Sequence, residues 1–274
     1  MSQARVLIIS GNGTNCERET AYAVKVAGAE QVQVAHFSEL LTEEVRIADY
    51  NFLIFPGGFL DGDHLGAAQA AAARIKFSKT KSGSSVLQEI KSLQAQGGLI
   101  LGICNGFQLL VKLGFLPNTG LDYTPQVSLS HNDSARFEDR WVHLSRNPSS
   151  NCIFCAGTEQ LYLPVRHGEG KLIPADRELL TELQEKNLIA LQYTDSQGRP
   201  TQSYPENPNG SPLGIAGLTD PTGRILGLMP HPEAYNHRTN HPFWTRNDSG
   251  HPWGIDLFAN AIGYLHGTAW NGLR

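Results

Sequence analysis

The chain has few of the features that would classify it at once. Four cysteines in 274 residues are too few for a disulfide scaffold, and Cys16, Cys104 and the Cys152/Cys155 pair sit in unlike surroundings. Long apolar runs are missing too: Val6-Leu7-Ile8-Ile9 near the N-terminus is far shorter than a secretory segment, and nowhere do about 18 apolar residues follow one another. A cytoplasmic protein that does not meet the membrane is expected. Basic charge is not in excess, with 22 Lys and Arg against 26 Asp and Glu and a net charge of -4. No field is therefore present to hold a polyphosphate backbone, which argues against a nucleic-acid partner. Neither glycine-rich phosphate motif occurs, because Gly11-Asn12-Gly13 lacks the later glycine and Gly170-Lys171 is followed by Leu172. No cofactor or metal is expected on this chain, and the absence of repeats or a separating linker points to one domain over residues 1–274.

What is present is a globular composition, 40% apolar and 18% charged. The first half alternates apolar runs with helical patterns. Strands are expected at Val6 to Ser10, Gln31 to Ala35, Phe52 to Phe55 and Leu99 to Ile103. Between them, a first helix opens on a Thr14-x-x-Glu17 capping box and closes at Gly28, and others cover Leu65 to Phe77 and Val86 to Gln96. Near-continuous apolar strands between helices predict a parallel sheet covered on both faces. Ser78 to Ser85 reads as a polar loop. After Pro117 the pattern becomes β-rich, with strands at Arg140 to Leu144, Leu161 to Val165 and Leu188 to Tyr193, then Arg224 to Met229 and a closing amphipathic helix over Gly254 to His266. The expected fold is α/β, a flavodoxin-like three-layer αβα sandwich with a mostly parallel central sheet and an antiparallel part from the second half.

The stretch from Gly97 to Val111 runs an apolar strand into Gly102-Ile103-Cys104-Asn105-Gly106 and then a helix. This is the cysteine counterpart of a nucleophile elbow, which holds its side chain out at the carboxyl edge of the sheet. The helix that follows favours thiolate over thiol and leaves the Asn105 N–H free to face an anion. Gln108, a turn later on the same face, reaches the same pocket. The plainer reading is a buried structural cysteine, against which the flanking glycines weigh. A thiolate needs a base, and one of the ten histidines stands out: in Met229-Pro230-His231-Pro232-Glu233 the prolines favour extended backbone, so His231 and Glu233 project to one side. The carboxylate then orients the imidazole as in a Ser-His-Asp triad, unless the segment is only a rigid turn. Pro56-Gly57-Gly58-Phe59 closes another strand, and Gly58 can offer the second oxyanion N–H beside Asn105.

Together, Pro-Gly-Gly, G-I-C-N-G-F-Q and P-H-P-E, in that order, resemble the triad class of glutamine amidotransferases, and within it the glutaminase subunits of phosphoribosylformylglycinamidine synthases. Asn15 to Glu19, Gly57 to Phe59 with Gly62-Asp63, His167 to Gly170, Asn207 to Ser211 and Gly227 to Glu233 extend the resemblance along most of the chain. It implies glutamine as substrate, Cys104 as nucleophile, His231 as acid and base, Glu233 as its support, Gly58 and Asn105 as the oxyanion hole, and Gln108 in glutamine binding. It also implies ammonia transfer to a large ATP-dependent synthetase subunit, with ATP and Mg2+ on that partner, and a small third subunit, in purine biosynthesis. Departures are Leu60-Asp61 after the Gly-Gly-Phe, Glu138-Asp139 before Arg140-Trp141-Val142, and insertions at Ser78 to Ser85 and Asn236 to Pro252, the latter expected to meet the large subunit. Cys152-x-x-Cys155 lacks the further ligands of a zinc site and reads as a buried strand, Cys16 lacks a neighbouring base, and His167 and Glu169 are substrate-side, partner-side or part of a plain turn. A stand-alone cysteine hydrolase and a catalytically silent binding subunit are the competing readings.

Overall fold

The computed structural model describes residues 3–246 and 253–268. In chain order the elements are β1 (Arg5–Ser10), α1 (Glu17–Val26), β2 (Gln31–His36), α2 (Phe37–Thr42), β3 (Phe52–Phe55), α3 (Gln69–Phe77), α4 (Val86–Ala95), β4 (Leu99–Ile103) and α5 (Asn105–Lys112). Then follow β5 (Val127–His131), β6 (Glu138–Arg146), β7 (Gln160–His167), β8 (Glu169–Pro174), α6 (Arg177–Glu185), β9 (Ile189–Tyr193), β10 (Ile215–Thr219), β11 (Ile225–Leu228) and α7 (Trp253–His266). Nine strands form one sheet in the order β2-β1-β3-β4-β11-β10-β9-β6-β7, and β5 pairs with β8 separately. From β2 to β11 every pairing is parallel; from β11 to β7 every one is antiparallel. The antiparallel part is thus the continuation of the parallel sheet.

Burial explains this layout. β3, β4 and β11 are buried at every residue, as strands covered on both faces must be. The chain steps from β1 to β2 in one direction and from β2 through β3 to β4 in the other, so right-handed crossovers put α1 on the opposite face from α3, α4 and α5. In agreement, α1 packs against α7, whereas α3 packs against α4 and α5. The strand order reverses at β1 and β3, and the crevice outside the carboxyl ends of such strands is where doubly wound sheets bind ligands. Among the described residues no helix is long and apolar enough to cross a membrane.

Several local expectations change. Thr14 does not cap α1: its Oγ1 accepts from Gly11 N–H at 3.1 Å and its backbone bridges to Gly58, so Cys16 occupies the N-cap without a side-chain bond. The helix expected from Leu65 begins at Gln69, after Ala68 in left-handed backbone at φ 58°. Cys152, Phe154 and Cys155 are buried and Ile153 half-buried, but the segment forms a short 3-10 turn over Ile153–Cys155 rather than a strand. Ser78 to Ser85 is a loop pinched by an isolated Lys79–Ser85 bridge. Part of the Asn236 to Pro252 insertion, residues 247–252, lies outside the described residues.

Candidate active site

The carboxyl ends of β4 and β11 set the centre of the site. Their parallel register places Ile103 beside Leu228, and the Cys104 N–H donates to the Leu228 carbonyl at 2.8 Å. Cys104 then turns sharply, at φ 51° and ψ -103°, before α5 starts at Asn105. A non-glycine residue held in such backbone stores strain and is typical of a functional site. The elbow's glycines are required by space: a Cβ on Gly106 would overlap the Phe55 carbonyl, and one on Gly102 would lie 2.6 Å from the Gly106 oxygen. Close seating of α5 on β3 therefore aims the helix's unpaired first N–H groups past Cys104.

His231 arrives from β11. It is 2% exposed, its backbone N–H donates to Pro164 O at 2.8 Å, and its Nδ1 lies 2.6 Å from Glu233 Oε1. His231 itself is extended, but Pro232–Ala234 coils into a 3-10 turn, so the turn, not strand alternation, brings carboxylate and ring together. Burial works against a charged imidazole here. Glu233 and then Cys104 and Cys16 outweigh it, holding the His231 pKa well above the ordinary histidine range. Nε2 closes no hydrogen bond and is the ring nitrogen left for Cys104, whose thiol donates to Arg166 O at 3.6 Å. Such pairs tighten once substrate fills the site.

Gly58 sits across the cavity at φ 132°, a backbone that favours glycine; a Cβ there would meet Gly13 O at 2.7 Å. Its N–H makes no hydrogen bond to a described group and lines the same cavity as Cys104. Asn105 contributes more than its backbone: its Oδ1 accepts from Leu60 N–H at 3.1 Å and its Nδ2 donates to Gln108 Oε1 at 3.1 Å. Gln108 in turn donates to the Glu169 carbonyl at 2.6 Å. Thus Gln108 lines the cavity as expected, while both ends of its amide already hold the wall together.

The cavity is about 320 Å³, within the usual range for a small-molecule pocket. Its lining residues include the acids Glu19, Asp63 and Glu169 and the base Arg166. Burial, helped by Glu169, raises the Asp63 pKa. Two further residues line the wall: Cys16, expected to lack a base, and His167, for which substrate-side, partner-side and plain-turn readings stood open. Cys16 does have a base beside it, its Sγ being 3.9 Å from His231 Nδ1, and burial raises its pKa. His167 is a buried member of the wall and not a bland histidine in a turn: it ends β7, and Glu169 opens β8. Cys16, His231 and Glu233 have ligand atoms within 4.8 Å of one another, the metal-type grouping found among the described residues, but here the His231–Glu233 hydrogen bond joins two of them directly. Cys152 and Cys155 belong to no such grouping.

A strained cysteine at a strand-to-helix elbow, a buried histidine beside it and a carboxylate on that histidine's far nitrogen define an acyl-transfer enzyme with a cysteine nucleophile, on a doubly wound sheet. The family model of the CobB/CobQ-like glutamine amidotransferase domain matches residues 3–265. The chain is 42% identical over 265 residues to the phosphoribosylformylglycinamidine synthase subunit PurQ of Dehalococcoides mccartyi, covering 96% of this chain and 98% of that one. To the PurQ subunit of Methanococcus maripaludis it is 38% identical, covering 96% and 97%. Among solved structures, PurLQS from Thermotoga maritima contains a chain matched with TM-score 0.70 and 26% identity, over 97% of this chain and all of that one. The chain belongs to the glutamine amidotransferase family, in the branch formed by the PurQ subunits of phosphoribosylformylglycinamidine synthase.

Proposed function

We propose that this chain is the glutaminase subunit of a phosphoribosylformylglycinamidine synthase, hydrolysing glutamine to glutamate and ammonia for purine biosynthesis. The observation that carries the chemistry is the buried 2.6 Å His231–Glu233 bond behind Cys104. His231 takes the Cys104 proton, and the sulfur attacks the glutamine carboxamide carbon. The oxyanion is met by the Gly58 and Asn105 N–H groups, neither of which donates a backbone hydrogen bond. As the C–N bond breaks, the proton on His231 passes to the nitrogen and ammonia leaves. Water, losing its proton to His231, then attacks the thioester; the C–S bond breaks and Cys104 regains a proton. Glu233 holds the ring in one tautomer and supports its charge throughout.

The zwitterionic end of glutamine suits a wall that offers Asp63 and Glu169 to an ammonium and Arg166 to a carboxylate. The likeness to a chain of PurLQS from Thermotoga maritima supports a synthetase partner and a third subunit. On this reading ATP and Mg2+ belong to the synthetase, and ammonia crosses between subunits unprotonated. Cytoplasmic residence fits four cysteines that are all free thiols.

Glutamate release from glutamine, measured with and without the synthetase subunit, tests the reading. Turnover should be low for the lone chain, rise in the complex, and vanish in Cys104→Ala with the fold intact. Equal turnover in Cys104→Ala refutes it. Cleavage of peptides but not glutamine indicates a stand-alone hydrolase, and no turnover in the complex a silent subunit.

A further inference from the structure

β7 ends on a histidine whose chemistry the scheme above does not use. His167 is 2% exposed, and its Nδ1 lies 3.0 Å from Asn132 Oδ1. The Asn132 amide nitrogen donates to the His167 carbonyl at 2.7 Å and to the Arg136 carbonyl at 2.9 Å. With its NH2 so committed, Asn132 presents an oxygen that can only accept. Nδ1 of His167 therefore carries the proton, and Nε2 presents a bare lone pair. Burial, with His231 adding to it, lowers the His167 pKa to about 3, which keeps the ring neutral.

Nε2 is buried and has no hydrogen-bond partner, a costly state for an acceptor in a folded interior. The ring packs against Gly170, where a Cβ would lie 2.7 Å from both its Cε1 and its Nδ1. His167 is among the residues that line the cavity with Cys104 and His231. The site thus holds two histidines in opposite states: one supported in its charged form by a carboxylate, the other kept neutral by burial with its tautomer set by an amide.

We propose that His167 Nε2 accepts a hydrogen bond from an N–H of the substrate carboxamide as its nitrogen leaves the carbon newly bonded to Cys104. The inference rests on the glutaminase reading. The oxygen of the carboxamide has its donors in Gly58 and Asn105, while its NH2 brings two N–H groups into a buried cavity and needs acceptors there. A neutral acceptor is the suitable kind. A carboxylate in that place would favour ammonium, which cannot act as a nucleophile downstream, and an imidazolium would repel the proton delivered by His231. The reaction balances without a proton on His167: Sγ–C forms, C–N breaks, His231 gives the proton, and NH3 departs along the lone pair.

The test compares two substrates in the full chain, alone and with the synthetase subunit. L-glutamine releases ammonia, whereas the γ-methyl ester of L-glutamic acid has the same amino and carboxylate ends and releases methanol, with no N–H on its leaving group. His167→Phe should lower kcat/KM for glutamine about 10-fold or more, the cost of one lost hydrogen bond, and leave the ester unchanged. His167→Gln, with a carbonyl oxygen of similar reach, should recover part of the amide rate. His167→Leu, closer to the native side chain in volume than phenylalanine is, serves if phenylalanine does not fold, as judged by melting. Equal losses on both substrates in a folded variant, or no loss on either, overturn the inference. Failure of the unsubstituted chain to hydrolyse glutamine while it hydrolyses the ester overturns the glutaminase reading, and the inference with it.

Discussion

Replacing Gly106 by alanine should separate the geometry of the elbow from its chemistry. The new methyl would lie 2.7 Å from the Phe55 carbonyl carbon and 2.9 Å from the Phe55 Cβ, against 3.4 Å where ordinary contact begins. The obstacle is β3 backbone at the centre of the sheet, so the strand cannot yield and α5 must retreat. A retreat of about 1 Å carries the Asn105 N–H and the Cys104 sulfur away from Gly58 and His231, and misplacement of that order costs about 100-fold in rate. Overpacking a dense core adds about 1–3 kcal/mol of destabilisation. At about 2–4 °C per kcal/mol for a chain near this size, the melting temperature should fall by about 2–12 °C. Glutamine turnover in the complex and calorimetric melting measure the two effects, with Gly120→Ala as control, where a Cβ meets nothing nearer than 3.8 Å. Activity and melting both matching the unsubstituted chain would show that α5 is not seated by the glycine, and the reasoning fails.

Glu233→Gln should destabilise the fold in a pH-dependent way. The raised His231 pKa means that its stabilising contribution is complete below about pH 6.5 and is lost as pH rises through the native value. The melting gap between native and variant chains should accordingly be widest near pH 6 and narrow towards pH 9; a constant gap contradicts the charged pair. Asp220 is 0% exposed and accepts from the Arg224, Ile225 and Thr222 N–H groups, the Thr222 hydroxyl and Gln94 Nε2. Asp220→Ala should cost about 3 kcal/mol or more by leaving these donors unmatched, readable by urea unfolding. The aromatic pair Phe243 and Trp244, 53% and 43% exposed, stands on the described part of the late insertion. Phe243→Ser with Trp244→Ser should weaken association with the synthetase subunit at least about 10-fold by sedimentation while sparing the melting temperature; unchanged association removes this surface from the interface.

The parallel half was legible because buried strands write themselves as apolar runs: β3, β4 and β11 lie where Phe52 to Phe55, Leu99 to Ile103 and Arg224 to Met229 predict. The elbow was legible for the same reason, since glycines on both sides of Cys104 have few other uses. Short-range polar patterns were less reliable. Thr14 fits a capping box in spacing, yet its backbone is claimed by Gly58, a partner no local pattern contains. α2 was overlooked because its capping residue is His36, accepting from Ser38 N–H, where the usual signals are serine, threonine or aspartate. Cys16 and His167 were undervalued because their roles come from residues far along the chain, His231 and Asn132. Their proximity follows from strand order and not from spacing. For His167 one signal was available: the second glycine of His167-Gly-Glu-Gly170 leaves room for a ring.

The order of the strands divides the site into parts of unequal freedom. Cys104 and His231 follow from β4 and β11, neighbours in the middle of the sheet, each locked by pairing on both sides. His167 closes β7, the outermost strand, which is paired on one side only. Whatever binds along that margin acts on the vessel around the reaction while the nucleophile and its base stay in register. The reacting pair is thus tied into the sheet from two sides, and the wall that carries His167 from one.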